Sequence, residues 1–207
     1  MAEQTPLAYL LQGAALGFAA AISPGAFQTY LITETLSGGW RRGIPVAFAP
    51  LITDLPIILL SLFLLNQLPE YFLRIISLAG GIFVLYLAYR LWGSWRKGKD
   101  LTEPDTRSST SSLKRGAITN LLTPGPYLFW ALVNGPILLS ALRQSITAGA
   151  AFIIGFYGVM ILSLLGIVVV FHQATRLGSR VVHMLLLVSL VVLAIFGILL
   201  LREGIWG

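Results

Sequence analysis

The sequence predicts an all-α, polytopic membrane protein. Its six transmembrane helices form two inverted three-helix repeats, with the first and fourth helices broken. Three observations carry this expectation. Of the 207 residues, 57% are hydrophobic and 11% are charged, against roughly 45–50% and about 25% in soluble domains. The apolar residues gather into six long runs rather than short alternating ones, as helices across a bilayer require and barrel strands do not. A hydroxyl–Pro–Gly string interrupts two of these runs at matching places. The mean hydropathy of +0.85 excludes a water-soluble or disordered chain. The absence of Cys excludes disulfides, thiolate metal sites and thiol nucleophiles.

The first span is expected from Leu7 to Leu31 and the second from Ile44 to Leu65. A polar turn, Asn66 to Glu70, leads to the third, Phe72 to Trp92. The fourth runs from Ala117 to Leu139, the fifth from Ile146 to Phe171, and the sixth from Val181 to Leu201. Residues 1–6 carry no Lys or Arg, so the first run reads as a span rather than a cleaved signal. The third and sixth spans have no central charge and read as scaffold. Residues 1–92 form the first repeat, 93–113 a flexible polar linker, and 114–207 the second repeat. Because each repeat has an odd number of spans, the second crosses in the opposite sense.

The formal charge of +6 reflects loop bias rather than nucleic-acid binding. Eleven of the fourteen Lys and Arg residues fall in or beside the loops after spans one, three and five. The other side has Arg74, Arg143 and Arg202. Positive-inside counting places the linker in the cytoplasm and both termini outside, in a plasma (inner) membrane. Trp92, Trp95 and Trp206 read as interfacial anchors, and His172 and His183 as solvated interfacial residues. Glu34 is expected to reach the interface near Arg41 and Arg42. Gly13 and Gly17 make a small-x-x-x-small pattern, read as packing within the protomer, with self-association left open.

Ser23-Pro24-Gly25 and Thr123-Pro124-Gly125 are the two interruptions. Proline removes a backbone donor and clashes with the preceding turn. Glycine tolerates the angles that follow. A helix broken inside a membrane exposes N–H groups that suit a carboxylate, and carbonyls that suit a cation. Such backbone is tolerated at that depth only if buried or lining a wet cavity. Asp54 is the acidic residue nearest a span centre, at a cost of roughly 2.5–3.5 kcal/mol on insertion scales. Pro50 and Pro56 flank it, and the helix is expected to bend or unwind there. Asp54 is read as a proton carrier, as the partner of a substrate ammonium, or as both in turn. Gln28, Asn120 and Asn134 are polar residues within spans, either helix glue or ligands. Tyr30, Tyr127 and Tyr157 are candidates to face a pathway. The substrate-binding set is therefore Ser23, Pro24, Gly25, Gln28, Asp54, Asn120, Thr123, Pro124 and Gly125, with Asp54 for proton coupling.

Together these features resemble the LysE/RhtB family of amino-acid exporters. Ser23-Pro24-Gly25, the string from Gly38 to Gly43, Asp54, the string from Gly80 to Ala88, and that from Thr119 to Pro126 carry the resemblance. One departure stands out. Ala26 occupies the position where the family usually has a second proline. The resemblance implies export of amino acids or similar small zwitterions from the cytoplasm in exchange for protons, and the inverted repeat is the arrangement that alternating access uses. No cofactor, metal site or nucleic-acid partner is expected, and no catalytic residues. A metal-ion or other small-ion exporter is the alternative. It needs several ligands at one depth, whereas the sequence offers one central carboxylate. An intramembrane enzyme needs a nucleophile–base pair that the sequence does not supply.

Overall fold

A computed structural model describes residues 5–63, 70–96 and 109–206. The chain is helical throughout these residues, apart from short turns. Helix α1 spans Pro6–Ile22, α2 Ala26–Gly38, α3 Trp40–Ala47, α4 Ala49–Phe63 and α5 Glu70–Arg96. Then follow α6 Ser109–Leu121, α7 Pro124–Phe129, a π turn Trp130–Asn134, α8 Gly135–Gln144, α9 Ile146–Ala174 and α10 Ser179–Trp206. Among the described residues five helical segments are long and apolar enough to cross a membrane. The pair α1 and α2, bent by 67°, makes a sixth if it counts as one span. The expected turn at 66–69 and linker residues 97–108 lie outside the described residues. The ends of the linker are helical, since α5 runs to Arg96 and α6 starts at Ser109.

Surface and interior are inverted relative to a soluble protein. Leu132, Ile146, Leu162 and Trp206 are exposed, while Glu34, Arg42, Asp54 and Asn120 are buried. An apolar outer face with polar groups inside is the arrangement a lipid environment selects. Threonines within the core return their hydroxyls to their own helix. Thr29, Thr33 and Thr35 each donate to the carbonyl four residues earlier, at 2.8 Å.

Helix α2 is the central element. It is buried along nearly its whole length and contacts α3, α6, α9 and α10. Gly39, with φ of +65°, allows the tight reversal into α3. Helix α1 lies against α9, and α5 against α10. The α1–α9 contact depends on glycine. A Cβ on Gly13 or Gly17 would run into the backbone carbonyls of Phe152 or Phe156, and one on Gly155 into that of Leu10. The small-x-x-x-small pattern is thus used within the protomer.

Two expectations are corrected. Helix α4 continues unbroken through Asp54, and the one interruption of that span is the turn residue Phe48. Pro50 sits in the first turn of α4, where a missing N–H costs nothing. Pro56 removes one helical bond without ending the helix. Glu34 is buried rather than interfacial, because Ser112 and Arg42 hold it inside. Trp95 and His183, both partly exposed near helix ends, also contact each other: the rings stack at 4.7 Å, and the Trp95 indole N–H donates to the His183 carbonyl at 3.2 Å.

Substituting Gly17 by Leu is expected to destabilise the fold in detergent by about 1–3 kcal/mol through overpacking. A Cβ added at Gly158 meets nothing within 4 Å, so Gly158→Leu should be accepted with little change. Thermal unfolding of both purified variants checks this.

Candidate functional site

The two interruptions meet at one cavity. Helix α1 ends at Ile22, and Ser23, Pro24 and Gly25 run outside helical geometry before α2 begins at Ala26. Gly25 is extended, with φ of −169°. Helix α6 ends at Leu121, and Thr123 leads into Pro124, the first residue of α7. A cavity of about 400 Å³ lies between these breaks. Ser23, Pro24, Gly25 and Gln28 line it from the first, and Thr123 and Gly125 from the second. Asp54 and Asn120 complete its polar wall. Pro124 does not line it and is buried behind. The apolar wall is formed by Phe129, Trp130, Phe156, Met160 and Leu164.

Asp54 is held by donors from two other helices. The Asn120 side-chain amide donates to Oδ1 at 3.0 Å, and the Tyr157 hydroxyl to Oδ2 at 3.1 Å. The same Asn120 nitrogen donates to the Thr53 hydroxyl oxygen at 2.7 Å, and Thr53 donates to the Ala49 carbonyl at 3.1 Å. Asp54 is 4% exposed. Its carboxylate retains lone pairs beyond those two bonds, and it is the one charged residue among the described residues lining the cavity. Tyr157 is held by its ring, edge-on to Phe156 at 5.1 Å and stacked near Trp130 at 6.4 Å. The π turn at Trp130–Asn134 shifts the helix register beside it, a feature frequent at functional sites.

The two breaks are unequal. The first turn of α2 presents the N–H groups of Ala26, Phe27 and Gln28, which have no helical acceptor. In the first turn of α7, Pro124 and Pro126 lack that group, leaving the N–H of Gly125. Ala26, where the second half has Pro126, adds a donor. The Gln28 side chain bridges its break by donating to the Ala20 carbonyl at 3.0 Å. Tyr127 does the equivalent at the second, donating to the Leu121 carbonyl at 2.9 Å. Asn134 is fully buried and neither of its side-chain atoms has a partner among the described residues; it does not line the cavity.

The sequence profile of the LysE type translocator family matches residues 18–204. The chain belongs to the LysE type translocator family. The match covers both breaks, Asp54, Asn120 and Tyr157. The family moves small molecules out across a membrane, and its members are transporters rather than enzymes. No curated protein and no solved structure matches the chain. In this translocator the sequence leads to both breaks, Asp54 and Asn120. It does not lead to the bond from Tyr157, whose signal is a lone hydroxyl in an otherwise apolar stretch, or to the wall formed by Trp130 and Phe156.

Removing Asn120 alone leaves a buried carboxylate short of a donor. Asn120→Leu is expected to cost about 1–3 kcal/mol. Adding Asp54→Leu should recover part of that loss, since the buried charge is removed while the Tyr157 hydroxyl loses its acceptor. Unfolding of the two single variants and the double variant in one detergent measures the coupling.

Proposed function

We propose that this translocator is a secondary exporter of amino acids or similar small zwitterions, working by alternating access in exchange for protons. The observation that carries the reading is Asp54, a buried carboxylate lining a cavity between two broken helices. A substrate ammonium pairs with Asp54, and its carboxylate meets the N–H groups at the start of α2. Protonation of Asp54 removes the charge that holds the ammonium, so proton and substrate exclude each other. A zwitterion leaves without net electrical work, whereas an entering proton gains about 2.3 kcal/mol per 100 mV.

The packing supports the inverted repeat. Helix α1 of the first half lies against α9 of the second, α6 of the second lies against α3 and α4 of the first, and α5 pairs with α10. That exchange is what a pseudo-two-fold axis in the membrane plane produces. The described residues flanking the basic loops meet at one end, with Gly39 against His172 and Trp95 against His183, so we place that end in the cytoplasm of an inner-membrane protein, with the termini outside.

The polar wall also bears on the substrate. One carboxylate can neutralise one ammonium. A second positive charge on a lysine or arginine side chain finds no counter-charge among the described lining residues, and the rest of the wall is aromatic and aliphatic. Neutral amino acids are the preferred cargo. The neighbours of Asp54 are hydrogen-bond donors, which suit a carboxylate holding an ammonium better than they suit a metal ion.

Counterflow in proteoliposomes tests this, with labelled neutral and cationic amino acids and an imposed pH gradient. Gradient-driven flux of neutral amino acids is expected, with Asp54→Asn abolishing the dependence on the gradient. Flux of a divalent metal with none of any amino acid would replace this reading with the small-ion alternative.

A further inference from the structure

A second buried polar cluster lies nearer the linker end of α2. Glu34 follows Gln28 by six residues in α2, a rise of about 9 Å. The Ser112 hydroxyl of α6 donates to Glu34 Oε2 at 2.5 Å. The Arg42 guanidinium of α3 lies 4.0 Å from the same oxygen. The Tyr30 hydroxyl donates to the Ser112 carbonyl at 3.5 Å. Glu34 is 6% exposed, Arg42 4% and Ser112 1%. Burying an ion pair away from water costs several kcal/mol per ion, and the mutual attraction only partly offsets it. Stability alone is therefore a poor reason for the cluster.

Its position suggests another reason. Glu34 and Arg42 belong to the first repeat and Ser112 to the helix that opens the second, so the contact crosses the seam between halves. Along α2 it lies between the cavity and the linker end. We infer that Glu34, Ser112 and Arg42 form a latch that closes the linker-side path to the cavity and positions α2 against α6. The inference rests on the alternating-access reading, in which this seam has to part for substrate to enter from the cytoplasm. Glu34 and Ser112 act here as positioning residues and touch no substrate. The short carboxylate–hydroxyl bond is charge-assisted and holds the seam while it is dry, and the burial cost of the ions favours their release once water enters.

The chain contains no Cys, so introduced cysteines report without background. Leu164 lines the cavity from α9, and Leu164→Cys serves as the reporter in liposomes with the linker side outward. A membrane-impermeant thiol reagent is added without substrate. Glu34→Gln and Ser112→Ala should each speed labelling, by about tenfold if the latch contributes about 1.4 kcal/mol to the closed state. Cross-linking Glu34→Cys to Ser112→Cys in the reporter background should suppress labelling below the parent rate, and a reductant should restore it. A reporter rate that is the same in the parent, both single variants and the cross-linked protein would overturn the latch. This assay needs no transported substrate, so its failure is separate from a failure to find amino-acid flux.

Discussion

A carboxylate within a membrane-spanning bundle is the constraint on which the rest of this structure depends. Asp54 is buried away from bulk water, so donors must come from neighbouring helices. They come from α6 through Asn120 and from α9 through Tyr157. Each donor fixes something further. Asn120 is the penultimate residue of α6, so holding Asp54 also fixes where the second helix breaks. Tyr157 is set by its packing on Trp130 and Phe156, so the same bond fixes the π turn against α9. The α1–α9 contact then needs glycine, because α9 is already committed to the site on one face and must meet α1 closely on another.

The two broken helices differ in the chemistry they offer. The hydroxyl–Pro–Gly core is shared, yet α2 begins after its glycine and α7 begins at its proline. The result is three backbone donors at one break and one at the other among the first helical residues. The backbone donors therefore come mainly from the first half, while the second half contributes Asn120 and the aromatic support for Tyr157. The two halves share a broken-helix opening and distribute the polar groups unevenly between them.

The backbone of this arrangement is legible in the sequence because its determinants are local. Proline and glycine act within a turn, which is why both breaks can be placed to within a residue or two. Asp54 stands out because a charge in an apolar run is visible without any partner. The misreadings share a different cause. A bend at Asp54 follows from Pro50 and Pro56 only if proline always disrupts a helix. It does so only where its N–H or its ring matters, and Pro50 falls in a first turn. Glu34 reads as interfacial because Arg41 and Arg42 follow it closely. Its hydrogen-bond partner, Ser112, lies 78 residues away, within a serine-rich string that reads as linker. Tyr157 is 103 residues from Asp54. Pairings over such separations arise from packing and leave no local pattern.

Helix α2 joins these features into one mechanical unit. Its first turn presents donors to the cavity, and its last third carries Glu34. It is buried along nearly all its length, and its threonine hydroxyls are satisfied by its own backbone. That internal satisfaction matters. A helix whose polar groups bond to itself can shift against its neighbours without stranding donors or acceptors in an apolar interior. The polar bonds that tie α2 to α6 are those of Glu34 and Tyr30 to Ser112. On the alternating-access reading we propose, binding at one end of the helix and release at the other are two ends of a single rigid displacement, with the proposed latch as the part that has to break.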